Sequence, residues 1–86
     1  MQKKEITVKL KRGVNARPAA MLVQVASRYR SEIHVEMENK KMNAKSIMGM
    51  MALGLDYGET VTIITNGEDE EAAVAGIEAF LTQKEI

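Results

Sequence analysis

Between Glu5 and Lys11 apolar and polar residues alternate strictly, with Ile6, Val8 and Leu10 on one face and Glu5, Thr7, Lys9 and Lys11 on the other. That period of two predicts a half-buried strand. Gly13 breaks it, and Val14-Asn15-Ala16-Arg17-Pro18 opens a helix, with Asn15 as N-cap and Pro18 in the first turn, where a missing N–H costs nothing. This helix is expected to run to about Arg28 or Tyr29, burying Ala19, Leu22, Val23, Ala26 and Tyr29 and turning Arg17, Ala20, Met21, Gln24 and Arg28 outward. Alternation returns from Ser31 to Met37, with Ile33, Val35 and Met37 inward and His34 and Glu36 outward. Glu38-Asn39-Lys40 then turns the chain into a short strand from Lys41 to Asn43, completing a hairpin.

The next stretch is apolar without interruption. No side chain from Ile47 to Leu55 is polar, and Ser46, the only hydroxyl between Ser31 and Tyr57, stands one residue ahead of it. A short helix capped by Ser46 and closed by a left-handed Gly54 follows. Met50 and Leu53 share one side of it at i, i+3 spacing, and Ile47, Met48 and Met51 occupy the arc beyond. A short helix on one sheet cannot bury every face, so part of this run is expected to form an exposed apolar patch. After Asp56-Tyr57-Gly58, Glu59 to Thr65 supplies a fourth strand, with Val61 and Ile63 on one face and Ile64 on the other, ended by Asn66-Gly67. Glu68, Asp69, Glu70 and Glu71 crowd the first turn of a last helix, where negative charge suits the macrodipole. Ala73, Val74, Ile77, Phe80 and Leu81 form its apolar stripe, which Gly76 interrupts as a site of close packing. The order βαββαβα predicts an α+β fold, an open-faced two-layer sandwich in which three helices cover one face of a four-stranded antiparallel sheet.

Eighty-six residues are read as one domain, residues 1–86, able to bury about 60 to 65% of the surface its unfolded chain exposes. Twelve basic and twelve acidic residues balance without a basic run, so direct binding to nucleic acid or to an anionic membrane is not expected. Three aromatic residues and no tryptophan remove the usual base-stacking platform. Cysteine is absent, which excludes disulfide and thiol chemistry. Met1-Gln2-Lys3-Lys4-Glu5 leads into charged alternation and not into an apolar signal core, and no apolar run approaches the ~20 residues of a membrane span, so the cytoplasm is the expected location. The acidic run lacks the spacing and glycine of a calcium loop and is read as a charged helix start; no metal or cofactor is expected.

Two motifs carry a family resemblance: Gly13-Val14-Asn15-Ala16-Arg17-Pro18-Ala19-Ala20 and Asn43-Ala44-Lys45-Ser46-Ile47-Met48-Gly49. In this order and at this separation they resemble the HPr family of the bacterial sugar phosphotransferase system, over essentially the whole chain. In that family a histidine at the position of Asn15 relays phosphate from enzyme I. An imidazole nitrogen can take phosphate as a phosphoramidate and release it, whereas an asparagine amide is not nucleophilic in this way. The chain therefore resembles the regulatory branch of the family, which lacks the histidine and keeps the serine.

That resemblance implies that Ser46 is the target of HPr kinase/phosphorylase. It further implies that the phosphorylated protein is a corepressor of catabolite control protein A, a repressor of the LacI/GalR type, and is not itself an enzyme. Lys45 would assist the kinase or partly neutralise the product. Arg17, Ala20, Met21 and Gln24 would join Ile47, Met48 and Met51 in one partner-binding surface, the alternative for Arg17 being a solvated helix-start arginine. Methionine suits a surface that accepts more than one partner. Two rivals stay open: a phosphocarrier using another residue, with His34 the only histidine available, and an unphosphorylated form that binds and tunes a metabolic enzyme. The short Lys11-Arg12-Gly13 connection also allows the first strand to exchange between two copies, giving a homodimer.

Overall fold

The computed structural model describes residues 1–11 and 16–83. Seven elements follow in the expected order: β1 (Gln2–Thr7), α1 (Ala16–Ser27), β2 (Glu32–Met37), β3 (Lys40–Asn43), α2 (Ile47–Leu53), β4 (Thr60–Asn66) and α3 (Glu70–Leu81). The strands form one antiparallel sheet in the order β1-β4-β2-β3. Its inward residues, among them Ile6, Ile33, Val35, Val61 and Ile63, are buried together with Ala19, Leu22 and Ala26 of α1, Met50 and Leu53 of α2, and Ala73, Ile77, Phe80 and Leu81 of α3. Side chains at alternate strand positions point to opposite faces, so one face receives the helices and the other stays open.

β1 differs from the expected Glu5–Lys11 strand at both ends. Seven residues of β4 offer partners as far as Gln2↔Thr65, Lys3↔Ile64 and Lys4↔Ile63, so the polar start of the chain is recruited by pairing and not by its own pattern. Lys4 falls on the helix side and pairs its ammonium with Glu78 of α3 at 2.7 Å. Ladder pairing ends at Thr7↔Thr60, yet Val8 and Leu10 remain fully buried. Here the backbone bonds elsewhere: Val8 N–H donates to Glu59 O and Lys9 N–H to Leu81 O, both at 2.8 Å. Alternation thus identifies the buried side chains correctly while the hydrogen-bonding partner changes from strand to turn and helix end.

Met21, expected to face outward, is half-buried against the core. The cause is that α1 packs against both α2 and α3. A helix with neighbours on two sides buries a wider arc than one lying on a sheet alone. Val25 is packed against the core for the same reason. Gly76 behaves as expected: a Cβ there would lie 2.8 Å from Tyr29 Cζ and 3.1 Å from Cε2, so the bare α3 backbone admits the tyrosine ring at the end of α1.

The acidic start of α3 serves more than the dipole. Asp69, the N-cap residue, makes no side-chain bond to its own helix. Its carboxylate instead accepts from Arg30 N–H (2.9 Å), Ser31 N–H (3.0 Å) and the Ser31 hydroxyl (2.5 Å), clasping the entry of β2 to the entry of α3. These bonds, the Ser31 hydroxyl first, hold the Asp69 carboxyl below its ordinary 3.8. Among the described residues no helix is long and apolar enough to cross a membrane, and no group of three or more His, Asp and Glu is placed to hold a metal ion.

Candidate functional site

The loop from Asn43 to Ser46 is pinned before the helix begins. Ala44 is fully buried and its N–H donates to Ile33 O of β2 at 2.8 Å, tying the end of β3 to its neighbour. The Asn43 side chain closes an Asx turn by accepting from Lys45 N–H at 2.8 Å, and the Asn43 carbonyl accepts from Ser46 N–H at 3.0 Å. Ser46 consequently enters α2 in extended conformation, φ −107° and ψ 117°, with its Oγ accepting from Gly49 N–H at 3.1 Å. Its carbonyl already accepts the first helical bond from Met50 N–H at 3.0 Å. This is N-cap geometry, and it leaves a half-buried hydroxyl at the positive end of a helix. At the other end Gly54, at φ 61° and ψ 46°, supplies the left-handed closing residue.

Gly49 keeps the space beside that hydroxyl open. A Cβ at this position would stand 3.4 Å from Ser46 Oγ, Ser46 Cβ and Met42 Cβ. Lys45 does not extend into solvent beside Ser46. Its Nζ donates at 2.7 Å to the carbonyl of Tyr29, just past the end of α1, where a cation meets the negative end of the helix. A role for Lys45 at a modified Ser46 therefore requires exchanging one oxygen acceptor for another.

Beyond the serine, α2 presents the divided surface expected of it. Met50 is 0% exposed and Leu53 is buried, while Ile47, Met48 and Met51 are 41%, 79% and 48% exposed. On a seven-residue helix anchored by two core side chains, these three form a ridge of apolar groups facing outward. α1 packs against α2, which brings the exposed Arg17 and Gln24 and the half-buried Ala20 onto the adjoining helix. Met21, on the same helix, is half-buried against the core. Asn15, where the resemblance implies the family's relay histidine, lies outside the described residues.

His34 stands apart from the helix layer, on the open face of the sheet, where it is half-buried between Asn43 of β3 and Ile64 of β4. Sequence reasoning missed two contacts that build the site, the Lys45 bond to Tyr29 and the Asx turn at Asn43. The second had a local signal in an asparagine two residues ahead of Lys45 and three ahead of a capping serine. The first joins positions sixteen residues apart and had none.

Comparison with known proteins places this geometry in context. A profile of the family described as "PTS HPr component phosphorylation site" matches residues 2–83. The HPr-like protein Crh of Halalkalibacterium halodurans is 50% identical over 84 residues, spanning 98% of this chain and all of that one. A crystal structure of the phosphocarrier protein HPr from Bacillus anthracis superposes with a TM-score of 0.91 at 44% identity, covering 93% of this chain and 95% of that one. The crystal structure of Bacillus subtilis Crh, a dimer with a swapped domain, superposes with a TM-score of 0.77 at 45% identity, covering 100% and 98% of the two chains.

Proposed function

The chain belongs to the HPr family, and from that premise we propose that it is a regulatory HPr-like protein of carbon catabolite repression and not a sugar phosphocarrier. The observation that carries this reading is Asn15, an amide where the family's phosphate relay needs an imidazole, in a chain that otherwise keeps both motifs. Ser46 is then the modified residue, phosphorylated from ATP by HPr kinase/phosphorylase. The phosphorylated form binds catabolite control protein A and acts as its corepressor without touching DNA, in agreement with equal numbers of acidic and basic residues. The protein is a substrate of an enzyme and not an enzyme, and works in the cytoplasm.

Phosphate at Ser46 adds about −1.5 to −2 charge and three acceptor oxygens. Its interaction with the helix dipole is worth about 0.3–1 kcal/mol. A partner's arginine or lysine bonded to it contributes about 1.5–3 kcal/mol for each charged hydrogen bond. The larger quantity is intermolecular, so the phosphate acts chiefly as a contact for the repressor, beside Ile47, Met48 and Met51 of α2 and Arg17, Ala20, Met21 and Gln24 of α1. Repressor binding measured with and without kinase treatment tests this directly. Tighter binding of the treated protein is expected, and equal binding overturns the reading. Incubation with phosphoenolpyruvate and enzyme I is expected to leave the chain unmodified; an acid-labile phosphate would restore the phosphocarrier alternative.

A homodimer formed by exchange of β1 belongs to the same proposal. The swapped Crh dimer of Bacillus subtilis supports it, and all six β1–β4 pairs from Gln2↔Thr65 to Thr7↔Thr60 can be remade between copies without loss. Light scattering over a wide concentration range is expected to reveal a dimer, and a monomer throughout would remove this part.

A further inference from the structure

We propose that Met48 and Met51 form a reversible oxidation site that converts the α2 docking face from apolar to polar. The inference rests on the proposed role of that face and adds a second control to it, independent of Ser46. Three methionines follow one another within four residues, and the fold sorts them sharply: Met48 is 79% exposed and Met51 48%, while Met50 between them is 0% exposed. At i, i+3 spacing Met48 and Met51 share a side of the helix, beside Ile47. Isoleucine has no comparable redox chemistry, so the two thioethers are the only groups on this ridge whose polarity an oxidant can change.

The reaction is a two-electron oxygen transfer from a hydroperoxide. A sulfur lone pair attacks the terminal peroxide oxygen, the O–O bond breaks, and the S–O bond of the sulfoxide forms. The remaining oxygen leaves with its electron pair, takes up a proton, and departs as water or an alcohol. Sulfur is oxidised and the peroxide reduced, with no further reactant. The product is polar and chiral, and methionine sulfoxide reductases return it to the thioether. Attack requires access to the sulfur, so Met48 reacts first, Met51 next and Met50 last. Burial of a sulfoxide against a partner without a matching donor is expected to weaken docking about tenfold or more.

The test treats the intact protein with hydrogen peroxide, maps each sulfoxide by peptide mass, and follows retention on a hydrophobic-interaction column. Binding of the kinase-treated protein to the repressor is measured in parallel. Oxidation in the order Met48, Met51, Met50, loss of retention and of repressor binding, and recovery of both after sulfoxide reductases are expected. A Met48→Leu/Met51→Leu variant, compared only with its own untreated sample, is expected to keep its repressor binding and to lose only the small part of its retention that oxidation of the exposed Met1 causes. Oxidation of Met50 ahead of Met48, unchanged retention of the oxidised wild type, or an equal loss in the double variant each overturns the proposal. Failure of the unoxidised, kinase-treated protein to bind the repressor instead overturns the corepressor reading, and sulfoxide order and column retention still decide the oxidation site. Undiminished repressor binding after oxidation, where the unoxidised form binds, also overturns it.

Discussion

Replacing Ser46 with alanine separates what the hydroxyl does for the helix from what it does for a partner. The side chain contributes one bond to its own chain, accepted from Gly49 N–H at 3.1 Å. Loss of a serine N-cap costs about 0.5–2 kcal/mol. Gly49 is half-buried, so water replaces the lost acceptor only in part, and a value near the middle, about 1 kcal/mol, is expected. The helix does not detach, because Met50 and Leu53 remain buried and each contributes about 1.5–3 kcal/mol. In a domain of this size 1 kcal/mol lowers Tm by roughly 4–8 °C. Ser46→Asp keeps a good cap and places charge at the favourable end of the dipole, so its stability is expected within a few tenths of a kcal/mol of the wild type, or above it. Urea unfolding of the three proteins, with amide exchange followed at Gly49, reads both effects. The reasoning is refuted if alanine is as stable as serine, or if aspartate falls with alanine. With the aspartate variant stably folded, any difference between it and the phosphorylated protein in repressor binding reports on phosphate charge and geometry and not on loss of the helix.

Three further predictions test the frame around the site. Met50→Ala is expected to cost about 2–5 kcal/mol and Met51→Ala less than about 0.5 kcal/mol in urea unfolding, a contrast set by burial alone. Gly76→Ala should destabilise by about 1–3 kcal/mol because the new methyl displaces the Tyr29 ring, whereas in a Tyr29→Ala background the same change gains about 0.5–1 kcal/mol from helix propensity; matching signs in the two backgrounds would deny the contact. For Asp69 the folded-state pKa is lowered, so its contribution is present in full above the ordinary 3.8 and is lost as pH falls through the folded value. Asp69→Asn is therefore expected to be less stable than wild type at neutral pH, the gap between the two narrowing on acidification below about pH 4, as read from thermal unfolding across pH.

Features governed by near neighbours in the chain were legible without coordinates. Alternation from Glu5 to Lys11 and in β2 and β4 identified Ile6, Val8, Ile33, Val35, Val61 and Ile63 as buried, since the period of an extended backbone is set by the backbone itself. Ser46 and Gly54 marked the ends of α2 because a cap answers to the first or last turn beside it. The divided face of that helix followed from the helical period, as did the buried stripe of α3. The proposal drawn from Asn15 also needed no coordinates, since it rests on the family resemblance and on the chemistry of an amide.

What the sequence could not determine are the relations between segments far apart in it. The polar residues Gln2–Lys4 became strand only because β4 extends far enough to pair with them. Met21 was turned from surface into half-buried packing by the presence of both α2 and α3 beside α1. Asp69 found its donors at Arg30 and Ser31, and Lys45 its acceptor at Tyr29, across gaps that no local pattern encodes. The physical reason is common to all four: period and capping are properties of a few consecutive residues, whereas burial and hydrogen-bond partners depend on which surfaces the folded chain brings together.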